Sequence, residues 1–214
     1  MKFPCIGLYA FLELSIGRAL HYDDILARLK NGATLLDMGC CFGQDIRKLV
    51  HDGVPAQNLT GTELEPVFID LGYELFRDKD ALGSRFIVGD IFADDAYGLE
   101  NGTFDFVHTG SFFHQFTWAE QVEALTKCLR LLKPKPGSML VGRQIATDEP
   151  RTIKHPLLRS GEAYNHDIES WKKLVGEVTG KIDQRVSVDV EIMDVKREKI
   201  DRKWGMMRFC IELL

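Results

Sequence analysis

Five short apolar runs alternate with helical stretches through most of this chain, and that alternation restricts its fold more than any other feature. The runs are ATLLD (33–37), NLTGTE (58–63), RFIVGD (85–90), FDFVHTG (104–110) and SMLVGRQ (138–144). Before the first, YDDILARLKNG (22–32) sets Ile25, Leu26 and Leu29 on one helical face, with Asp23 or Asp24 as the expected cap and Gly32 as the stop. Between the runs lie QDIRKLVHDG (44–53), EPVFIDLGYELFRD (65–78) with Pro66 in its first turn, and TWAEQVEALTKCLRLL (117–132) with Thr117 as cap. DIESWKKLVGEVTG (167–180) supplies one more helix. Strands alternating with helices predict a parallel, doubly wound α/β sheet covered on both faces. Two strand-like stretches, QRVSVDVEIMDV (184–195) and KWGMMRFCIELL (203–214), close the chain with no helix between them. They predict an antiparallel hairpin added to the sheet, seven strands in all.

Composition narrows the function classes. The chain has 214 residues, 45% of them apolar and 28% charged, which suits one globular domain over 1–214. A net charge of −5 argues against nucleic acid as a partner, since phosphate neutralisation needs clustered Lys and Arg. The dense stretch DVKREKIDRK (194–203) mixes both signs and reads as a solvated hairpin. The five cysteines, at 5, 40, 41, 128 and 210, form no CxxC, and adjacent Cys40 and Cys41 pair awkwardly. They read as reduced thiols of a cytoplasmic protein. The opening apolar stretch is broken by Pro4 and Glu13, and no stretch reaches the ~20 apolar residues of a membrane span. No membrane partner is expected, and a homodimer stays open. Residues 3–12 have a helix-like apolar pattern, and residues 1–22 read as a lid over the site or a cap that fills a groove. Residues 146–167, with Pro150 and Pro156, read as a long loop, either a cover for the substrate or a surface connection.

Ligands of open α/β sheets bind beyond the carboxyl ends of the strands, where strand order reverses. The first strand ends at Asp37, so LLDMGCCFGQD (35–45) sits at that place, with Gly39 and Gly43 letting a ligand approach the backbone. A dinucleotide loop wants GxGxxG. In that register the chain offers Gly39, Cys41 and Gln44, so two of the three glycines fail. Asp37 directly before the loop also suits an ammonium better than a pyrophosphate. S-adenosylmethionine carries an ammonium, a sulfonium and a ribose diol, and no phosphate. Glu63 ends the second strand, where a carboxylate can accept both ribose hydroxyls, with Leu64 beside it. Asp90 follows the third strand, where it can accept from the adenine amino group while Ile91 packs on the ring. Each acid alone is an ordinary turn residue; three at successive strand ends are not.

The series LLDMGCCFGQD, LTGTELEPVFIDLG, FIVGDIF, FDFVHTGSFFHQF and LLKPKPGSMLVGRQ resembles the class I S-adenosylmethionine-dependent methyltransferases, with their Rossmann-like fold. It looks closest to the small fungal methyltransferases of meroterpenoid pathways, of the austinol and terretonin type. In that group the cysteine pair is the usual form of the loop, so Cys41 does not spoil it. The resemblance implies S-adenosylmethionine as cofactor, held by Asp37, Gly39, Cys41, Gly43, Glu63, Leu64, Asp90, Ile91 and Thr109, and no metal. It further implies O-methylation of a carboxylic acid on a hydrophobic polyketide–terpenoid intermediate. A methyltransferase-like cyclase, or a non-catalytic partner that keeps the cofactor site, is the competing class.

A carboxylate acceptor is already ionised at neutral pH and needs no base, whereas a hydroxyl does. His108 lies within the fourth strand and reads as a core or ligand-touching histidine. His114, just past that strand in GSFFHQF, is the candidate catalytic residue, orienting the acceptor. Phe112, Phe113 and Phe116 read either as the wall of an apolar pocket or as core. His155 and His166 carry no assignment.

Overall fold

The computed structural model describes residues 4–7, 9–94, 97–193 and 204–214. A short helix α1 (Pro4–Gly7) and two 3-10 turns, Ala10–Glu13 and Ser15–Arg18, lead into α2 (Tyr22–Lys30). Then follow β1 (Leu35–Met38), α3 (Gln44–His51), β2 (Leu59–Glu63), α4 (Pro66–Phe76), β3 (Arg85–Val88), β4 (Phe106–Gly110) and α5 (Trp118–Leu131). The chain ends with β5 (Met139–Thr147), β6 (Arg151–Lys154), β7 (Glu162–Asn165), α6 (Ile168–Lys181), β8 (Val186–Met193) and β9 (Trp204–Leu213).

The main sheet has seven strands in the order β3-β2-β1-β4-β5-β9-β8. The first five are parallel, and β9 runs antiparallel to both β5 and β8. Strand order therefore reverses between β1 and β4, whose register sets Asp37 opposite His108. Successive residues of a strand point to opposite faces. Leu35, Phe106 and Val141 accordingly join Ile25 and Leu29 of α2 and Ile46 and Leu49 of α3 in one cluster. Leu36, Val107 and Leu140 join Trp171, Leu174 and Val175 of α6 in the other. Trp171 is fully enclosed there, and truncating it to Ala opens a cavity that costs ~3–5 kcal/mol.

The expected cap of α5 is present as a capping box: Thr117 accepts from the Glu120 N–H, while the Glu120 carboxylate accepts from the Thr117 N–H at 2.8 Å. Two expectations need correction. The cap position of α2 is His21, in a left-handed conformation and without a side-chain cap, so Asp23 and Asp24 sit in the first turn and favour the helix through its dipole alone. The stretch 146–167 is not an irregular loop. β5 runs on to Thr147, and β6 and β7 form a separate two-stranded antiparallel sheet. The predicted hairpin turn at 194–203, and residues 1–3 and 8 of the expected lid, lie outside the described residues. Among the described residues no helix is long and apolar enough to cross a membrane.

Candidate functional site

The loop after β1 is held from two sides. Gly39 and Gly43 both have positive φ, 69° and 66°, and a side chain at either would collide with a ring: Phe112 at 2.9 Å for Gly39, Phe86 at 2.7 Å for Gly43. Between them Cys41 takes the same left-handed conformation, φ 53°, without being a glycine. The Cys40 N–H donates to the Thr62 carbonyl at 2.9 Å, and the Cys41 N–H donates to Glu63 Oε2 at 2.9 Å. The other Glu63 oxygen accepts from the N–H groups of Leu64 (2.9 Å) and Glu65 (3.1 Å). Glu63 thus staples the end of β2 to the glycine loop. Burial pushes its carboxyl above the usual range in spite of those three donors. Leu64 itself is half exposed.

Asp37 is buried at the end of β1, and its Oδ1 lies 2.7 Å from His108 Nδ1. The other ring nitrogen, Nε2, lies 3.2 Å from Ser15 Oγ. That hydroxyl donates to Asp45 Oδ2 at 2.9 Å, so it accepts from the Nε2–H of His108. His108 thus bridges Asp37 and Asp45. Burial opposes its charge, but the Asp37 carboxylate outweighs burial and holds His108 above the usual imidazole range. Burial likewise lifts Asp37, against the pull of His108. The Asp45 carboxylate also accepts from the Ile16 N–H at 2.9 Å, which ties the N-terminal segment to the start of α3. Asp37 Oδ2 is enclosed and has no partner among the described residues.

Asp90 lies two residues past β3. Its Oδ1 accepts from the Phe92 N–H at 3.0 Å, and its Oδ2 from Arg159 Nη1 at 2.6 Å. Burial raises this carboxyl, but those two donors outweigh it and hold it below its usual value. Arg159 comes from the turn between β6 and β7 and stacks 4.5 Å from the Phe92 ring centre. Ile91 is buried in the core cluster beside Phe112 and Phe116. Thr109 is fully buried, its hydroxyl without a partner.

Beyond β4 the chain turns through Ser111, at φ 59°, into a 3-10 turn, Phe113–Gln115. Phe112, Phe113 and Phe116 are all buried, and Phe112 meets Phe116 edge-on at 5.1 Å. They serve both readings, as core and as the wall next to the glycine loop. His114 is half-buried with Nδ1 enclosed and unpartnered. Burial, with Arg143 nearby, pushes its imidazole down to about 4. It is neutral at ordinary pH.

Residues 35–135 match the family described as "Methyltransferase domain". The chain is 44% identical over 194 residues to O-methyltransferase phiE of a fungal species and 42% identical over 184 residues to O-methyltransferase atr3 of Stereocaulon alpinum. Those matches take in 89% and 83% of this chain, and the chain spans 64% and 53% of the two relatives. To the Asnovolin E/Chermesin D methyltransferase nvfJ of Aspergillus novofumigatus it is 38% identical, over 88% of this chain and 68% of that one. The chain belongs to the class I S-adenosylmethionine-dependent methyltransferases, among the fungal secondary-metabolite enzymes of that family. In fold it is also similar to the [4+2]-cyclase SpnF, with a TM-score of 0.63, at 17% identity over 88% of this chain and 78% of that one.

The switch point gathers Asp37, Gly39, Cys41, Gly43 and Glu63 around the end of β1 and β2. Asp90 is drawn instead into an ion pair with Arg159, and Ile91 and Thr109 turn inward. Sequence reasoning missed Ser15, Asp45, Arg143 and Arg159. Arg143 did leave a signal: it is a charge inside the apolar run SMLVGRQ, and a buried strand tolerates a charge only when it is paired.

Proposed function

We propose that this chain methylates a carboxylate oxygen of a hydrophobic small molecule, an acid of polyketide–terpenoid type, using S-adenosylmethionine. When bound, S-adenosylmethionine supplies an electrophilic methyl on a sulfonium: the acceptor oxygen forms the new C–O bond as the methyl–sulfur bond breaks, the electron pair returns to sulfur, and a carboxylate has no proton to lose.

The residues present fit that donor. The unpartnered Asp37 Oδ2 is an acceptor waiting for an ammonium group. A carboxylate offers about four lone-pair sites, and Glu63 uses three, so it retains capacity for a ribose hydroxyl. Gly39, Cys41 and Gly43 keep the loop close to the ligand, and half-exposed Leu64 offers an apolar side to it, while Ile91 and Thr109 support the site from the core. Asp90 accepts the adenine amino group if Arg159 yields one oxygen. Phe112 and Phe116 exclude water from the reacting centre.

The observation that carries the choice of acceptor is the state of His114. With its acidity near 4 it is a weak base, unsuited to ionising a hydroxyl but free to donate one N–H bond. It orients the acceptor, and the relatives whose names include O-methyltransferase agree with attack by oxygen. The test is incubation with labelled methyl donor and a terpenoid carboxylic acid, followed by mass measurement and base hydrolysis. A methyl ester supports the reading. A label resistant to hydrolysis points to a hydroxyl acceptor, and an isomer of unchanged mass to a cyclase.

A further inference from the structure

We propose that Arg143 is the anchor for the acceptor's carboxylate and that Glu13 of the N-terminal segment fills its place until the acceptor arrives. The inference rests on the reading of a carboxylic-acid acceptor and names the group that recognises it. Arg143 sits in β5 opposite Gly110, the last residue of β4, and its carbonyl accepts the Ser111 N–H at 2.8 Å. Its backbone therefore fixes the start of the turn that carries His114. The side chain is more than nine-tenths buried, on the sheet face shared with Asp37 and His108. It also lies near enough to add to burial in lowering the basicity of His114.

A guanidinium in such a place needs a carboxylate. Asp37 and Asp45 are committed to His108 and Ser15, and Glu13 supplies the contact, Nη1 to Oε2 at 2.6 Å. The supply is incomplete. Nε is enclosed and has no acceptor among the described residues, so the fork that makes arginine a carboxylate receptor is half used. Glu13 is also the accessible member of the pair: its side chain is 39% exposed, against 9% for Arg143. It ends a 3-10 turn bounded by Tyr9 and Leu14, both left-handed at φ 55° and φ 47° without being glycine. Each such residue stores backbone strain that release of the turn relaxes. Ser15 and Ile16, the next two residues, stay moored to Asp45, so Glu13 can leave without unseating the segment behind it. A carboxylate on a small molecule can then take two parallel donors where Glu13 takes one. Each acceptor oxygen then keeps one lone pair, and the oxygen oriented by His114 uses it for methyl transfer.

The probes are dehydroabietate, a polycyclic terpenoid carboxylate, and the uncharged alcohol of the same skeleton. Binding of each is measured by calorimetry on the full chain saturated with S-adenosylhomocysteine. Wild type is expected to prefer the acid at least tenfold. Glu13→Gln removes the competing carboxylate and should tighten the acid three- to tenfold while leaving the alcohol unchanged. Arg143→Met should erase the preference by weakening the acid alone, and Arg143→Lys should keep part of it; thermal unfolding checks that each variant is folded. Absence of any acid preference in wild type overturns the proposal, as does a preference that survives in both Glu13→Gln and Arg143→Met at the wild-type ratio. In the second case a methyl ester formed from the acid would still uphold the carboxylic-acid reading, and Arg143 alone would be wrong. A hydroxyl product would sink that reading whatever Arg143 does.

Discussion

Glu63 is the residue whose loss the structure allows one to size. Its carboxylate holds three backbone N–H groups, so Oε2 retains one lone-pair site for a ribose hydroxyl. One hydrogen bond to a charged group is worth about 1.5–3 kcal/mol, or roughly ten- to 150-fold in affinity. Glu63→Ala should therefore weaken S-adenosylhomocysteine by at least tenfold in calorimetry. It should also lower the melting temperature, because the N–H groups of Cys41, Leu64 and Glu65 lose their acceptor. Affinity loss alone would not separate a ribose contact from a loosened loop. The separating comparison uses the 2′,3′-dideoxy analogue of the ligand. Wild type should bind the analogue at least tenfold more weakly than the parent, and folded Glu63→Ala should bind the two alike. If the variant still prefers the diol by the wild-type factor, Glu63 acts only as a staple and the ribose is held elsewhere.

Cys41→Gly should leave cofactor affinity intact or slightly better and raise the melting temperature slightly, because glycine adopts φ 53° without the penalty a side chain brings; a large loss of affinity in the folded variant would show that the thiol makes a needed contact. His114→Gln should keep much of the methyl-transfer rate and His114→Ala should lose ~10–100-fold through misplacement of the acceptor; equal inactivity of the two, with a wild-type rate that rises through pH ~6–7, would make His114 a general base. His114 and His166 are both pushed down to about 4, chiefly by burial, so below the unfolded value of ~6.5 the unfolded chain binds protons that the folded chain refuses. Stability measured by urea should thus fall as pH drops from about 6.5 toward 4, less steeply in His166→Gln; an unchanged slope would refute the assignment. His108, raised by Asp37, has the opposite sign: its contribution is complete below ~6.5 and fades as pH climbs past its raised value, so His108→Gln should flatten the alkaline side of the same curve.

What the sequence discloses here depends on whether the information is local. The first two strands and the cap at Thr117 are each written within a few residues, as apolar runs, turns and a T-x-x-E pattern; β2 ends at Glu63 and the cap is Thr117 as expected, and β1 runs one residue past Asp37 to Met38. Asp90, two residues past β3, was legible as a strand-end acid, but its ion pair with Arg159 was not, because the partner lies far down the chain on a turn between two four-residue strands. Those strands escaped notice for a physical reason. β6 is mostly exposed and carries no alternation of apolar and polar residues, so nothing in its pattern sets it apart from a polar loop. The pairing among the polar groups of the core was missed because its members are distant in sequence. Asp37, His108, Ser15 and Asp45 come from four separate stretches, and only the β1–β4 register brings the first two face to face. Arg143 shows how part of this could be recovered from sequence. A charge in mid-strand on a sheet buried on both faces must meet an opposite charge, and polar atoms left over when that pairing is incomplete mark where a ligand has room to do better. Among the described residues two such atoms, Asp37 Oδ2 and Arg143 Nε, belong to strand residues on one face at the switch point. Under the reading proposed above, the ammonium of the methyl donor would meet the first and the carboxylate of the acceptor the second.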